Sequence, residues 1–567
     1  MKLLKNLFTI FASAAVLSSC EFLNTSESDY YELEELKDEY PQVKKFATNV
    51  YSYLRHDFCS VDGAMLDAAS DDAMHVHETS NIQYFVNGVW AANKPVDDVF
   101  AHYYRGIHDA NFFLEYLTGL SFESWKDNVS YEAEMQEYQN LDEELRLLRA
   151  YFYFELVRRY QNVPLLKKVF SQSEVNNIAP NTADEVFDFI IKECDELAEL
   201  LPINYDNFSL KENGRVNRGT ALALKSKVAL YAASPLFNKT NEKSKWEKAA
   251  QYSYELISRA EEFNYKLSDK YDHLFGTENN NDKEVIFFIG TGGSNDFESK
   301  NFPYGVIGGN TSTCPSQNLV DAYETVNGYK VTLDENGNWV SNDPEFDANQ
   351  PYSNRDPRFA ATIAYNGMKW PHDKALEIYQ GGANAQPLPK ATKTGYYLRK
   401  YVNKTVKFDP GAPQAKPTHN WVLFRYAEVL LNYAEAMVNA YGDVNYTDAT
   451  CQMSALEAVN MVRGRKGVDM PALPSMPADQ FLVKLKNERR VELEFEGHRF
   501  WDIRRWKELD SNKTLYGVEI IKNGNEYVYN KINAYPNRVM EDKMYFYPIN
   551  NSEIFKNGNL VQNPGWQ

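Results

Sequence analysis

Cysteine is scarce in this sequence of 567 residues, and the few that occur are dispersed. The five are Cys20, Cys59, Cys194, Cys314 and Cys451. None forms a CxxC pair or stands at metal-ligand spacing from a histidine, so the sequence predicts no zinc site.

Clustered positive charge is also lacking. The formal net charge is -19, and no basic block or stripe stands out against it, which argues against binding nucleic acid through phosphates. Beyond the first twenty residues, charged side chains interrupt every apolar run well before the ~18 residues that a membrane-spanning helix requires. We therefore expect a globular body that binds no nucleic acid.

The chain does begin with a short segment typical of export. Lys2 and Lys5 precede an apolar run over 7–17, and the letters LSSC end at Cys20. This pattern resembles a bacterial lipoprotein signal, in which a peptidase cuts before a cysteine that carries lipid. We expect residues 1–19 to be removed and acylated Cys20 to anchor the protein in a membrane, because several acyl chains give stable anchoring. An ordinary secretory signal with a chance cysteine is the alternative.

Helical periodicity dominates much of the chain. Between 140 and 160, apolar residues recur every three or four positions and so share one stripe of a helix. They are Leu141, Leu145, Leu148, Phe152 and Leu156. Similar patterns cover 43–54, 99–117, 183–201, 218–233, 245–260, 421–441, 446–465 and 478–496. The sequence predicts a mainly α fold whose helix pairs resemble tetratricopeptide repeats, although no clean 34-residue repeat is present.

A different texture fills 265–420, which is rich in Gly, Asn, Asp and Pro. These residues favour turns, and loops of such length are usually functional. Short apolar or β-branched runs at 284–289 and 396–402 predict a few strands within them. The predicted organisation is one unit over 20–567, with a helical scaffold at about 30–264 and 420–510 and a large loop-rich ligand-binding segment at about 265–420.

The stretch NERRVELEFEGHRFWDIRRW over 487–506 concentrates acids, bases and a histidine. Two carboxylates about 5 to 9 Å apart would suit a glycoside hydrolase. On a helix, however, Arg489 would meet Glu492 and Arg490 would meet Glu494, so that each acid gains a cation that lowers its pKa. A general acid needs a raised pKa, and the spacing therefore predicts a scaffold with no catalytic residue.

Two histidines lie near two acids, since His75 and His77 follow Asp71 and Asp72. Histidines separated by one residue converge on a metal mainly when the backbone is extended, and no further ligand is placed nearby. GTGGSN at 290–295 lacks the lysine and the following helix of a phosphate-binding loop. We therefore expect neither a metal nor a cofactor.

Several stretches resemble, in their order along the chain, the SusD/RagB family of nutrient-binding outer-membrane lipoproteins of Bacteroidetes. They are ELRLLRAYFYFELVRRYQNVPLL (144–166), NRGTALALKSKVALYAAS (217–234), RDPRF (355–359), TGYYLRKY (394–401), FRYAEVLLNYAEAM (424–437), AVNMVRGRKGV (458–468), ERRVELEFEGHRFWDIRRW (488–506) and YPINNSEIFKNGNLVQNPGW (547–566). They cover nearly the whole chain after Cys20.

The resemblance implies four tetratricopeptide-like helix pairs and a lipid anchor on the outer face of the outer membrane. It also implies a partner, a SusC-like TonB-dependent transporter barrel. The protein would capture oligosaccharides, or less often peptides, and pass them to the barrel without catalysis. Glu21, Glu27 and Asp29 are similar to the acidic export signals of such lipoproteins, although they form no tight block.

The resemblance also places the ligand face on the loop after the first long helix, the segment before the second, and the irregular middle third. Sugar binding there requires aromatic rings that pack against sugar C–H faces and polar groups that bond hydroxyls. The candidate ligand-binding residues are Asp57, Asp71, Asp72, His75, Trp90, Phe297, Tyr304, Cys314, Trp370 and Tyr396. The structural alternatives are core packing for the aromatic rings and Cys314, and helix capping for the aspartates.

Three other functions stay open. The same fold would suit a peptide-binding protein, a lipid-anchored glycoside hydrolase, or a helical-repeat adaptor that holds other proteins. Two facing carboxylates in a cleft, one with a raised pKa, would favour the hydrolase. Failure to bind any sugar would favour the adaptor.

Overall fold

The computed structural model describes residues 33–208, 212–277, 279–411 and 413–566. The expected signal peptide, Cys20 and the acidic residues just after it lie outside the described residues. Within the described ranges, no helix combines the length and the apolar character needed to cross a membrane.

Helices make up the body of the molecule. In chain order they are α1 (Leu33–Asp38), α2 (Tyr40–Tyr51), α3 (Tyr84–Asn87), α4 (Phe100–Tyr116), α5 (Tyr131–Tyr138), α6 (Leu141–Tyr160), α7 (Gln172–Val175), α8 (Ala183–Leu200), α9 (Arg218–Ala233), α10 (Lys243–Ser258), α11 (Asp296–Asn301), α12 (Gln317–Val320), α13 (Pro357–Thr362), α14 (Tyr426–Tyr441), α15 (Ala455–Arg463), α16 (Ala478–Glu492), α17 (Arg499–Arg505) and α18 (Asn551–Lys556).

The long helices stack in chain order. Helix α4 packs on α6, α6 on α8, α8 on α9, and α9 on α10. Helix α10 then packs on α14, although the loop-rich segment separates them in sequence. One hydrophobic core contains residues from both helical regions. The prediction of a mainly α, tetratricopeptide-like fold is confirmed.

Capping side chains fix several helix starts. Thr182 accepts a hydrogen bond from the Glu185 N–H, and the Glu185 carboxylate accepts one from the Thr182 N–H, which opens α8 where the sequence predicts. Ser454 and Glu457 form the same arrangement before α15. Because this cap sets the start, the helix predicted at 446–465 begins only at Ala455.

Helix α6 is buried on more sides than its single apolar stripe predicts. The residues of the stripe are buried, and so are Leu147, Tyr151 and Phe154 on the other faces. Helices α2, α4, α8 and α9 all contact it. It is therefore a central helix of the stack.

The strands form five two-stranded antiparallel sheets within the part of the chain that the structure describes. The pairs are β1 (Ala73–His75) with β3 (Thr313–Pro315), β2 (Val285–Gly290) with β8 (Asn420–Arg425), β4 (Val331–Leu333) with β5 (Trp339–Ser341), β6 (Ile363–Ala364) with β7 (Tyr397–Leu398), and β9 (Tyr516–Asn523) with β10 (Glu526–Asn533).

One strand prediction and one helix prediction need correction. The strand expected at 284–289 is confirmed as β2, but the run at 396–402 forms only the two-residue β7. The helix predicted at 421–441 is split, because its first residues form β8 against β2 before α14 begins. A short apolar run such as WVLF at 421–424 does not distinguish a buried strand from a helix by periodicity alone.

Candidate functional site

The charged stretch forms a buried scaffold, as predicted, but many of its ion-pair partners lie elsewhere in the chain. The Glu492 carboxylate, at the end of α16, binds Arg358 at 2.8 Å and Arg425 at 2.6 Å. Arg465 is a third cation on the same carboxylate. Burial alone would raise the pKa of Glu488, but Arg358, at 2.6 Å, holds that pKa below its ordinary value.

Both pairings predicted within the stretch are wrong. Arg489 binds Asp502 at 2.8 Å, and Arg490 binds Asp72 at 2.5 Å, instead of the glutamates three or four positions ahead. Glu494 lies beyond the last residue of α16, so helical spacing does not apply to it. The stretch is thus held by an ion pair between its own two helices, Arg489–Asp502, and by long-range ion pairs such as Arg490–Asp72.

Glu494 has a raised pKa, contrary to the prediction for this stretch. It is 1% exposed and accepts a hydrogen bond from the Tyr323 hydroxyl. Burial, reinforced by the Asp72 charge, raises the pKa of Glu494 well above its ordinary value. Burial likewise raises the pKa of Asp67, whose carboxylate oxygens accept no hydrogen bond from the described residues.

These acids do not form the accessible pair that a glycoside hydrolase uses. Asp67, Asp72 and Glu494 are all buried, so no substrate reaches them in this structure. Across the described ranges, no group of three or more His, Cys, Asp and Glu side chains is placed to hold a metal ion.

Asp71 and Asp72 anchor the segment before β1 to the helical scaffold. Arg499 of α17 donates two hydrogen bonds to the Asp71 carboxylate, at 2.8 and 2.9 Å. Arg490 binds Asp72 from α16. Both aspartates are buried and face cations of the scaffold. Their position gives them a structural role in place of the predicted ligand contact.

Trp90 lies in the core. It is 2% exposed, and its ring packs edge-on against Phe85, Tyr547 and Trp566, with ring centroids 4.6 to 4.9 Å apart. A sugar has no access to this ring, so Trp90 does not lie on a ligand-accessible surface. The C-terminal segment covers it.

Sheet β1–β3 does bring the predicted ligand segments together. It pairs Met74 with Cys314 and His75 with Thr313. The His75 ring is buried, with Nδ1 3.2 Å from the Ser312 hydroxyl, and burial, together with the nearby His77, lowers the pKa of His75 to about 4. The two predicted ligand segments therefore do meet in this sheet, but the side chains of His75 and Cys314 are buried.

Four more candidates are buried in the loop-rich segment. Phe297, Cys314, Trp370 and Tyr396 are each at most 5% exposed. The Tyr396 hydroxyl donates to the Gln317 side chain at 2.7 Å. All four are buried in the core, as expected if they serve packing and do not contact a ligand.

Asp57 and Tyr304 are the two candidates that remain half-buried. The Asp57 carboxylate accepts hydrogen bonds from the Leu66 N–H at 2.7 Å and the Ser60 hydroxyl at 3.0 Å, and burial raises the pKa of Asp57 to about 7. Asp57 lines a cavity of about 70 Å³, far below the ~300 Å³ at which ligand pockets begin. Tyr304 lies where 303–309 packs on a neighbouring loop.

That neighbouring loop, 377–386, also carries a tyrosine missed by sequence reasoning. The Asn384 side chain donates to the Tyr304 carbonyl at 3.0 Å, and the Gln380 N–H donates to the Ile520 carbonyl of β9 at 2.7 Å. The loop is therefore fixed between Tyr304 and the β9–β10 hairpin.

Tyr379 on this loop and Tyr527 on β10 form what we call the tyrosine pair. Their ring centroids are 6.1 Å apart with the planes tilted by 31°, and Lys522 Nζ lies 4.7 Å from the Tyr379 centroid. Tyr527 is 38% exposed and Tyr379 is half-buried, so a ligand has access to both. The two-residue turn Gly524–Asn525 signals the hairpin that places Tyr527 there.

A separate groove of about 830 Å³ runs along the helical body. Helix α4, the loop over 164–172 and helix α18 form its walls. We call it the scaffold groove. Its volume falls within the range of small-molecule sites, whereas its lining mixes aromatic rings with charged side chains.

Two family models match the chain. The model described as SusD family matches residues 283–566, half of the chain. A second, described as starch-binding and associating with the outer membrane, matches residues 21–230. Together they cover most of both helical regions and most of the loop-rich segment, with 231–282 between them.

Individual relatives agree with the family models. SusD-like protein P2 of Formosa agariphila is 25% identical over 433 residues, which is 74% of this chain and 72% of that protein. A SusD-like protein of Bacteroides fragilis has a crystal structure with a TM-score of 0.75, 28% identity, and coverage of 94% of this chain and 98% of that one. A SusD-like carbohydrate-binding protein of the same species shares the fold, with a TM-score of 0.72, 23% identity, and coverage of 93% and 100%. The chain belongs to the SusD/RagB family.

Proposed function

We propose that the protein binds an oligosaccharide at the cell surface and passes it to a SusC-like TonB-dependent barrel in the outer membrane. Family membership supports this function, because a matching family model is described as starch-binding and associating with the outer membrane. The buried state of Asp67, Asp72 and Glu494 favours a binding protein over a hydrolase. Peptide binding on the same surface is the second candidate.

The tyrosine pair carries the proposal. Aromatic rings bind sugars by packing against C–H faces, and Tyr379 and Tyr527 bring two partly exposed rings together in a fixed geometry. Lys522 beside them supplies a donor for hydroxyl oxygens. The loop is held by backbone contacts to β9, so little ordering is needed on binding.

The binding site is tested by calorimetry against a panel of oligosaccharides. We expect at least one glycan to bind, and Tyr379→Ala with Tyr527→Ala to weaken it by about tenfold or more. A matched control is Tyr441→Ala with Tyr446→Ala, which removes another partly exposed ring pair, with centroids 3.8 Å apart, on the scaffold. If Tyr379→Ala with Tyr527→Ala left glycan affinity unchanged, the glycan would bind at a site other than the tyrosine pair. If the protein bound peptides and no glycan, peptide binding would replace glycan binding as its function.

The anchor and the partner belong to the same proposal. Acylated Cys20 would hold the protein at the outer membrane after removal of residues 1–19, and the barrel would receive the ligand. Metabolic labelling with a fatty acid tests the anchor, and Cys20→Ala should lose the label and leave the membrane fraction. Affinity purification of the wild-type protein from solubilised outer membranes should recover a TonB-dependent barrel; its absence would contradict the partnership.

A further inference from the structure

The scaffold groove has preformed walls. The Tyr104 hydroxyl of α4 donates to the Pro164 carbonyl at 2.8 Å, which ties the helix to the loop over 164–172. Asn111 of α4 donates to the Leu166 and Lys168 carbonyls at 2.8 and 3.2 Å. Asn557, just after α18, donates to the Ile178 carbonyl at 2.8 Å. Three distant parts of the chain are thus fixed around one space, as in a built binding site.

The acidic side chains of the groove are already engaged. Asp109 accepts a hydrogen bond from the Tyr53 hydroxyl at 2.8 Å and lies 3.2 Å from His108 Nδ1. Glu553 pairs with Lys556 at 2.7 Å. Their negative charge is therefore partly matched within the groove.

Two cations that line the groove form no ion pair, although the charge of Lys168 also acts on the carboxylates of Glu115 and Glu174 outside it. Neither Arg105 nor Lys168 forms an ion pair with any of the described residues. Lys168 Nζ instead lies 5.1 Å from the Phe170 ring centroid. In a chain of formal net charge -19, a groove in which the two lining charges without an ion pair are both positive favours an anionic ligand.

Aromatic rings line the same space. Tyr53, Tyr104 and Phe170 are each half-buried, so part of each ring faces the groove, where it can pack against a sugar. Rings and free cations together suit a chain of sugar rings that carries negative groups better than they suit a bare inorganic anion.

We propose that the scaffold groove is a second glycan site, for an acidic oligosaccharide that bears carboxylate or sulfate groups. Arg105 and Lys168 bind the acidic groups, and the three aromatic rings contact the sugar faces. The inference rests on the proposed carbohydrate binding but not on the tyrosine pair. A protein with both sites would hold one glycan at two points or select acidic glycans for the barrel.

The test compares matched trisaccharides on the full protein. A galacturonic acid trisaccharide, a sulfated galactose trisaccharide and a neutral galactose trisaccharide are titrated by calorimetry at low and physiological salt. We expect at least one acidic ligand to bind about tenfold tighter than the neutral one and to weaken with salt. Which acidic ligand binds identifies the group that is recognised.

Variants then locate the site. Arg105→Gln with Lys168→Gln should weaken the acidic ligand about tenfold and leave neutral glycans unchanged, because one or two charge-assisted hydrogen bonds are lost. Lys239→Gln with Lys248→Gln makes the same charge change at two exposed positions outside the groove and should have no effect. Both pairs are on the surface, so folding is preserved.

Three outcomes would overturn the proposal. Equal affinity for the acidic and neutral ligands would show that the groove does not recognise acidic groups. Acidic binding that survives the groove variant but is lost in Tyr379→Ala with Tyr527→Ala places the ligand on the tyrosine pair, and leaves the proposed function intact. Loss of a co-purifying barrel in the groove variant, with all sugar binding unchanged, makes the groove a protein contact.

Discussion

Arg490 of α16 donates a hydrogen bond to the Asp72 carboxylate at 2.5 Å, across 418 positions of sequence. Asp72 precedes β1, so this pair joins the segment that enters sheet β1–β3 to the charged stretch of the scaffold. Arg499 of α17 and Asp71 form a second connection between the same two segments. Two buried ion pairs therefore hold the segment before β1 against helices α16 and α17.

The Arg490–Asp72 pair should show strong coupling in a double-mutant cycle. Removal of one partner leaves a buried charge without its counter-ion, so Arg490→Met or Asp72→Asn alone should lower the free energy of unfolding by about 3 kcal/mol. The double variant should lose less than the sum, with a coupling energy of about 1 to 3 kcal/mol. Urea unfolding of the four proteins measures this. Additive losses would show that the two side chains do not stabilise each other.

Neighbouring glutamates should respond differently to the same substitution. Glu492→Gln leaves the cations around it without their shared anion, and should lower the free energy of unfolding by about 3 to 5 kcal/mol. Glu494→Gln replaces a carboxyl whose raised pKa favours its neutral form, so the loss should stay within about 1 kcal/mol. Urea unfolding at pH 6 compares them. Equal losses would contradict the protonated state of Glu494.

Asp57 should make stability depend on pH. Because its folded pKa is raised to about 7, the folded state binds more protons than the unfolded state between the ordinary pKa of aspartate and pH 7. Its contribution is fully present below about pH 4 and is lost as pH rises to about 7, with a slope of at most about 1.4 kcal/mol per pH unit. The difference in unfolding free energy between wild type and Asp57→Asn should therefore fall from pH 5 to pH 7. The exposed Asp510→Asn serves as control, and parallel curves for Asp57→Asn would rule the effect out.

Trp90 should matter for stability and not for sugar affinity. Trp90→Ala removes a buried ring and should lower the free energy of unfolding by about 3 to 5 kcal/mol. The folded fraction should bind glycans with wild-type affinity, as calorimetry on material shown to be folded by circular dichroism can test. Trp125→Ala, at a half-buried tryptophan, should cost less. A Trp90→Ala protein of wild-type stability that binds glycans weakly would show that Trp90 contacts the ligand.

Sequence patterns predicted the helices well because the spacing of apolar residues and the capping residues that define a helix are local in sequence. The 183–201 pattern with Thr182 became α8 almost residue for residue. The same reasoning failed for the ligand face, because burial of Trp90 depends on Tyr547 and Trp566, and burial of Asp72 depends on Arg490. No local pattern reports which distant segment will cover a side chain.

The contact between Trp90 and Trp566 also bears on when the protein can fold. Trp566 lies far along the chain from Trp90, so residues up to 566 must be present before the aromatic cluster around Trp90 is complete. A cluster that joins an early segment to a distant one depends on a contact of high sequence separation, so we expect it to form late in folding. A chain truncated before Tyr547 would keep most of its helices but would leave the Trp90 ring exposed, because Tyr547 and Trp566 cover that ring.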